Sequence, residues 1–284
     1  MRDIANRQQA EAWNDWEGIH WAEHPERYNA MMDAFNAPLF AAAGIAVNDR
    51  VLDVGCGTGR TTRLAGQRAY EGNAVGIDLS APMLERARRD AAAEGLGNVT
   101  FEQGDAQVHP FHGRGFDVVL SRGGVMFFAD HIVAFTHLRD ALAPAGRLAF
   151  LGPRPAGPDS PYARATAALT PFLREPSPAA RGMGSLLDPA RIRQVLAASG
   201  FTDIDVVAAE APMTLGANAG DAADFIFAMG PTRYNLRDVE PATVACIRAE
   251  VHDALTEFET ADGVRLPGSV WIVTASRERI SSIK

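Results

Sequence analysis

The stretch Val51-Leu-Asp-Val-Gly-Cys-Gly-Thr-Gly-Arg60 decides the fold of this 284-residue chain. An apolar run typical of a buried β-strand leads directly into three alternating glycines, Gly55, Gly57 and Gly59. Glycine has no Cβ atom, so it adopts positive φ at little cost and lets a ligand approach to backbone contact distance. Because doubly wound sheets bind nucleotides at the carboxyl ends of their strands, this turn predicts a ligand site.

Two phosphate-binding interpretations of this loop compete, and both are weak. A dinucleotide fingerprint requires glycine at the sixth position, where Arg60 stands, and a GxxxxGK[ST] loop requires a lysine that is not present. A ligand without phosphate fits better, because carboxylates near an amino group and a ribose are then useful instead of repulsive. A tight strand-to-helix turn without any ligand stays as the plain structural alternative.

Carboxylates follow the next two predicted strands. Residues Asn73 to Asp78 form a second strand that ends on Asp78, about 20 positions after the glycines, which is the spacing at which an acidic residue reaches ribose hydroxyls. A third strand, residues 99–103, leads to Asp105 and Ala106. Each aspartate alone is typical of a turn or a helix cap. Their joint position after successive strands favours a ligand site.

Later strands alternate with helices. Residues 116–120 and 147–151 form a fourth and a fifth strand, separated by a helix that Asp130 caps. Residues 201–208 and 268–274 form a sixth and a seventh strand. This order predicts a parallel sheet with helices on both faces. The fold class is therefore α/β.

The glycine motif and the residues after it resemble the class I S-adenosylmethionine-dependent methyltransferases, in particular the ubiquinone- and menaquinone-biosynthesis (type 11) methyltransferase-domain family. The resemblance implies a Rossmann-like doubly wound sheet of seven strands, mostly parallel with an antiparallel edge strand, and S-adenosyl-L-methionine as cofactor, with S-adenosyl-L-homocysteine as product. In this family the residue matching Asp105 and the one after it meet the adenine ring. The implied cofactor-binding residues are Trp21, Asp53, Gly55, Gly57, Asp78, Leu79, Met83, Asp105, Ala106 and Ser121.

We expect one methyltransferase domain, residues 1–284, with coverings around its core. Residues 1–44 form a helical arm, 45–151 the cofactor-binding core, 152–187 a proline-rich insertion, and 188–284 the rest of the sheet with a helical insertion at 213–262. The prolines of 152–187 forbid a continuous helix or a central strand. The tryptophans Trp13, Trp16 and Trp21 either pack the arm on the core or close it over the cofactor.

Composition limits the partners. The net charge of −8 argues against a broad nucleic-acid footprint, and no apolar run is long enough to span a bilayer. The amino terminus shows no apolar secretory region, so a cytoplasmic location without membrane insertion is expected. Two cysteines are too few for a disulfide scaffold, and no cluster has zinc spacing. The oligomeric state is undetermined, with a homodimer as one option.

The sequence predicts methyl transfer to a small-molecule acceptor, at oxygen or nitrogen. No [ND]PP[YFW] motif follows the fourth strand, and Cys56 belongs to the glycine loop, so amide, adenine and cytosine methylation are disfavoured. The candidate general base is His131, next to Asp130; the other histidines considered are less suited, namely His20, His24, His109 and His112. A nicotinamide-dependent oxidoreductase, or an S-adenosylmethionine-binding protein that does not transfer methyl, are the alternatives.

Overall fold

The computed structural model describes residues 4–111 and 115–278. Twelve α-helices are present in these ranges: α1 Arg7–Asn14, α2 Trp16–Glu23, α3 Pro25–Met32, α4 Asn36–Ala43, α5 Arg60–Arg68, α6 Ala81–Ala93, α7 His131–Ala141, α8 Pro161–Ala165, α9 Pro189–Ala198, α10 Ala219–Ala228, α11 Gly230–Leu236 and α12 Pro241–Thr256. The strands are β1 Arg50–Val54, β2 Asn73–Asp78, β3 Val99–Gln103, β4 Phe116–Arg122, β5 Leu142–Pro153, β6 Thr202–Gly216, β7 Glu259–Thr260 and β8 Gly263–Ser276.

One mixed sheet carries the fold, in the order β3-β2-β1-β4-β5-β8-β6, with β7 paired to β8. Strands β1 to β5 pair in parallel, and β8 is antiparallel to both β5 and β6. This confirms the α/β, Rossmann-like, doubly wound class with a mostly parallel sheet.

Two details of the sheet differ from the expectation. The antiparallel strand β8 lies between β5 and β6 and is not the edge strand, and the short β7 brings the number of strands in the described ranges to eight. Strand β8 occupies an interior position because its apolar side chains Val264, Leu266 and Val273 are fully buried. Strand β6 can tolerate the edge, since it carries exposed residues along most of its length, including Val207 at 51% exposure.

Helices cover both faces of the sheet. One core cluster contains Phe135, Leu138 and Phe150 and packs α7 and α9 against the sheet. A second cluster, which includes Leu84 and Phe101, packs α4, α5 and α6 on the opposite face. Burying the apolar stripe of each helix against the sheet is the main source of stability in such a layered domain.

Segments outside the sheet gather beyond the carboxyl ends of the parallel strands. Strand β6 is parallel to β5 and continues past the end of β5, paired with β8 as far as Gly216 opposite Val264. Helices α10, α11 and α12 follow at that end. The proline-rich segment, residues 152–187, begins with the last two residues of β5, Gly152 and Pro153, and its other regular parts are α8 and one short 3₁₀ turn. Within the described ranges, none of the helices has both the length and the apolar character needed to cross a bilayer.

Candidate active site

The glycine loop between β1 and α5 has the positive-φ backbone that its sequence predicts. Gly55, Gly57 and Gly59 have φ values of 66°, 53° and 75°, in the left-handed region that side-chain-bearing residues avoid. The loop is also crowded, because a Cβ atom on Gly55 would lie 2.7 Å from the Cα atom of Gly124. The N–H of Gly55 donates to the carbonyl of Ile77 at 2.9 Å, which ties the loop to β2. Only glycine therefore satisfies this turn.

A cavity of about 890 Å³ lies at the carboxyl ends of the strands. This volume falls within the range typical of small-molecule sites. The cavity brings together eight of the residues that the sequence assigned to cofactor binding: Trp21, Gly55, Gly57, Asp78, Leu79, Met83, Asp105 and Ala106. Asp53, Ser121 and His131 do not line it.

Asp78 lies where the ribose of a nucleoside ligand is expected. Its Oδ2 accepts a hydrogen bond from the N–H of Gly57 at 2.7 Å, and its Oδ1 accepts one from the N–H of Ser80 at 2.8 Å. Burial raises the pKa of this carboxyl, and the backbone N–H donors oppose that effect. An ionised carboxyl group offers about four acceptor positions. Asp78 therefore holds the glycine loop and retains acceptor capacity for ligand hydroxyls.

Asp105 binds the amino-terminal arm, whereas Asp78 binds the glycine loop. Its Oδ2 accepts from the backbone N–H groups of Ala5 and Asn6 at 2.9 and 2.8 Å. Its Oδ1 accepts from Asn6 Nδ2 at 2.7 Å and from the N–H of Gln107 at 3.0 Å. These four donors fill the acceptor positions of one carboxylate. In this structure Asp105 therefore fastens the amino-terminal arm, and an adenine N–H could bond to it only by replacing one of these donors.

Further contacts attach the arm to the rim of the cavity. Trp13 Nε1 donates to Gln9 Oε1 at 2.9 Å, and Gln9 Nε2 donates to the carbonyl of Arg181 at 2.8 Å. The hydroxyl of Ser80 donates to the carbonyl of Trp13 at 2.6 Å. The arm thus joins the β2–α6 turn on one side and the proline-rich segment on the other.

The assignments of Asp53 and Ser121 to the cofactor are corrected by their positions. Asp53 is fully buried under the start of α5, where its Oδ2 accepts from the hydroxyls of Thr61 and Thr62 at 2.7 and 2.6 Å. Burial raises the pKa of Asp53 to about 6. Ser121 is also fully buried; its hydroxyl donates to the carbonyl of Val54 at 2.7 Å. Both side chains fix the shape of the loop from behind and do not face the cavity.

His131 does not have the position of a general base. Its Nε2 lies 3.2 Å from the carbonyl oxygen of Met126 and 3.0 Å from the hydroxyl of Ser185. Burial lowers its pKa. The other histidine candidates in the described ranges, His20, His24 and His109, also lie outside the cavity lining, and His112 falls outside the described residues. His131 therefore connects the proline-rich segment, through Ser185, to the short 3₁₀ turn Val125–Phe127 that precedes α7.

Aromatic rings form the wall of the cavity beyond the glycine loop. Trp21 stacks on Tyr28 with ring centroids 3.7 Å apart, and Trp13 meets Trp21 edge-on at 5.7 Å. Phe127, from the turn after β4, meets Trp13 edge-on at 6.1 Å. The arm thus packs Trp13 against Trp21 and presents both to the cavity, whereas Trp16 does not line it.

Several polar residues that line the cavity are not predicted by any sequence motif. Glu17 lies between the two cavity tryptophans in the sequence and is only 5% exposed. Arg122, at the end of β4, donates to Asn29 Oδ1 at 2.7 Å. Arg154, the residue after β5, lies 2.9 Å from Glu210 on β6. These residues belong to no local sequence motif. Their common feature is that they line the cavity, which is evident only once the chain is folded.

Comparison with known proteins places the chain in a family. The family described as a methyltransferase domain matches residues 51–146. A demethylmenaquinone methyltransferase of Thermus thermophilus is 42% identical over 102 residues, which cover 36% of this chain and 46% of the relative. Trans-aconitate 2-methyltransferase of Deinococcus radiodurans is 32% identical over 201 residues, which cover 68% of this chain and 74% of the relative.

The extent of these matches differs along the chain. The chain spans about half the length of two of the curated relatives that it matches, including the demethylmenaquinone enzyme. A solved structure of phosphoethanolamine N-methyltransferase 2 from Haemonchus contortus has a TM-score of 0.57 at 18% identity, covering 98% of this chain and 61% of that chain. At this identity the likeness concerns the fold. The glycine loop, the aspartates at the strand ends and the matched relatives all indicate the same family. The chain belongs to the class I S-adenosylmethionine-dependent methyltransferase family.

Proposed function

We propose that this protein transfers a methyl group from S-adenosylmethionine to a small-molecule acceptor, at oxygen or nitrogen. One observation carries the proposal: a single cavity contains both the glycine loop with Asp78 and a second region walled by aromatic side chains. The first region suits a nucleoside donor, and the second suits an organic acceptor. The named relatives act on demethylmenaquinone and trans-aconitate, which are small molecules.

The residues present fit the donor. Gly57 keeps the loop free of side-chain atoms, and Asp78 retains acceptor positions for the ribose hydroxyls. When bound, the donor supplies an electrophilic methyl group on a positively charged sulfonium. The apolar lining, which includes Leu79, suits an adenine ring.

The chain's own contribution to the rate is alignment and the exclusion of water. Methyl transfer is an in-line displacement in which positive charge disperses, so an apolar pocket that holds acceptor and methyl in line accelerates it. Such positioning supplies roughly 7–11 kcal/mol in favourable cases. We propose that the arm, residues 1–44, and the segment 152–187 close this pocket. The hydrogen bonds that connect Gln9 to Arg181 and Asn6 to Asp105 support this role.

A ligand-dependent melting experiment tests the proposal. Only a ligand of the native state raises the melting temperature, so S-adenosylhomocysteine should raise it and NAD(H) should leave it unchanged. Incubation with methyl-labelled donor and a panel of metabolites should then give a labelled small-molecule product. Stabilisation by NAD(H) alone would favour the oxidoreductase, and binding of the donor without any labelled product would favour a protein that does not transfer methyl.

A further inference from the structure

Glu17 is a buried carboxylate in the acceptor region of the cavity. Its side chain lines the cavity together with Trp13 and Trp21, four positions before and after it in the sequence. Its Oε1 accepts a hydrogen bond from the hydroxyl of Ser177 at 3.2 Å. Gly230 leaves space for the carboxyl group, because a Cβ atom there would lie 1.8 Å from Oε1. The arm, the proline-rich segment and α11 thus converge on this one side chain.

No cation neutralises Glu17 among the residues that the structure describes. Burial raises the pKa of its carboxyl, while hydrogen bonds from Ser177 and from the backbone at Ala179 lower it. The two arginines that line the cavity are engaged elsewhere: Arg154 with Glu210 at 2.9 Å, and Arg122 with Asp33 at 3.5 Å. A buried carboxylate without a cation is costly unless a ligand supplies a proton donor or a positive charge.

Tyr28 also lines the cavity and adds a polar group to the region of Glu17. Its hydroxyl oxygen is buried and has no hydrogen-bond partner in the described part of the chain. Burial, together with the negative charge of Glu17, raises the pKa of this phenol. Buried polar atoms nearly always have a partner in folded proteins. A carboxylate without a cation and a hydroxyl without a partner in the described residues indicate that a polar ligand atom belongs in this region.

We propose that Glu17 binds the nucleophile of the acceptor and takes its proton, so that the acceptor is an amine or an alcohol held among the aromatic rings. This inference rests on the proposed methyltransferase function. The nucleophile's lone pair forms the new bond to the methyl carbon, and the carbon–sulfur bond breaks with its electron pair going to sulfur. The proton lost from nitrogen or oxygen passes to the Glu17 carboxylate and then to water.

The surroundings favour such an acceptor over an anionic one. The aromatic rings of Trp13 and Trp21 line the cavity and suit a cationic amine, which gives one proton to Glu17 before its nitrogen lone pair attacks the methyl group. An acceptor that reacts at a carboxylate would bring a second negative charge close to Glu17 in apolar surroundings, which strongly opposes binding. The raised pKa of Glu17 also makes it a stronger base than an exposed glutamate.

Calorimetric titration of the protein saturated with S-adenosylhomocysteine tests this assignment with three probes of one shape: benzylamine, benzyl alcohol and benzoate. We expect benzylamine to bind about tenfold or more tightly than benzoate, with benzyl alcohol between them. Glu17→Gln should remove most of the preference for benzylamine and should leave benzoate binding equal or tighter. The dissociation constant of S-adenosylhomocysteine should stay within about twofold of the wild-type value.

Glu23→Gln is the matched control, since it makes the same change on an exposed residue of the same helix α2. It should leave the preference for benzylamine unchanged. Wild-type protein that binds benzoate as well as benzylamine, or that binds no benzylamine, would overturn the assignment without any variant. A Glu17→Gln protein with an unaltered preference would also overturn it. Failure of S-adenosylhomocysteine to bind would instead refute the proposed function, so the two failures are distinguishable.

Discussion

Substitution of Asp78 probes the donor site most directly. The wild-type carboxylate accepts hydrogen bonds from Gly57 and Ser80, and we propose that its remaining acceptor capacity binds the ribose of the donor. Asp78→Ala removes every one of these interactions, whereas Asp78→Asn retains one acceptor oxygen and loses the charge. Comparison of the two variants therefore separates the charge from the shape of the loop.

The expected loss follows from the value of hydrogen bonds to a charged group. Such bonds contribute about 1.5–3 kcal/mol, so the dissociation constant of S-adenosylhomocysteine should be roughly 10- to 150-fold larger in Asp78→Ala than in the wild type. Asp78→Asn should fall between this variant and the wild type. The N–H of Gly57 also loses its partner in Asp78→Ala, so hydrogen exchange in the glycine loop should become faster without global unfolding.

Isothermal titration calorimetry measures the binding, and thermal unfolding of the ligand-free proteins checks that the variants are folded. Glu85→Ala serves as the control, because Glu85 is an exposed carboxylate on the helix that follows Asp78. A folded Asp78→Ala protein that binds S-adenosylhomocysteine as tightly as the wild type would refute the assignment of Asp78 to the ribose.

Other substitutions test other parts of the structure. Gly57→Val should abolish donor binding, because a side chain at φ 53° strains the backbone and its Cβ would lie 2.8 Å from the Met83 side chain; equilibrium dialysis with labelled donor checks this, and normal binding would contradict it. Asp53 has a folded pKa of about 6 against about 3.9 when unfolded, so the folded state binds the extra proton and wild-type stability should fall by up to about 3 kcal/mol as pH rises from about 4 to 6. Urea unfolding across this range should show a smaller fall in Asp53→Asn, and equal slopes would argue against the raised pKa. Tyr28→Phe removes an unpartnered buried hydroxyl, so the free energy of unfolding should stay equal or rise by up to about 1–3 kcal/mol, and a clear loss would show that the hydroxyl has a partner. Deletion of residues 1–21 should leave a folded sheet, seen by circular dichroism, that binds S-adenosylhomocysteine weakly, and normal binding would refute closure by the arm.

The donor half of the site could be predicted from the sequence because it is local. The glycine loop and Asp78 each follow directly from a strand, and parallel strands bring their carboxyl ends to one edge of the sheet. The assignment of Asp53 is wrong for a reason that is equally local: its side chain lies inside, under α5, where the hydroxyls of Thr61 and Thr62 bind its Oδ2. A carboxylate in a buried strand can serve a ligand or the loop itself, and composition does not distinguish the two.

The chemistry of the acceptor region could not be predicted because it depends on long-range contacts. The position of His131 at the start of a helix predicts a general base. Its ring instead contacts Ser185, which comes from the irregular segment whose path no sequence pattern predicts. Glu17 lies in a short helix and has no motif around it. Its burial depends on Ser177 and Gly230, which are more than 150 positions away in the sequence.

Donor and acceptor recognition are therefore encoded in different ways within one cavity. The parallel strands and their turns supply the donor region, and the matched methyltransferase family covers these same residues, 51–146. The acceptor region that we propose is assembled from three segments outside the parallel strands: α2 provides Glu17, the proline-rich segment provides Ser177, and α11 provides Gly230. We expect substitutions in these segments to change the charge and shape of the cavity wall around the acceptor and to leave the glycine turn unchanged. The acceptor can therefore change while the donor stays the same, and the residues to exchange first in altering acceptor choice are those around Glu17.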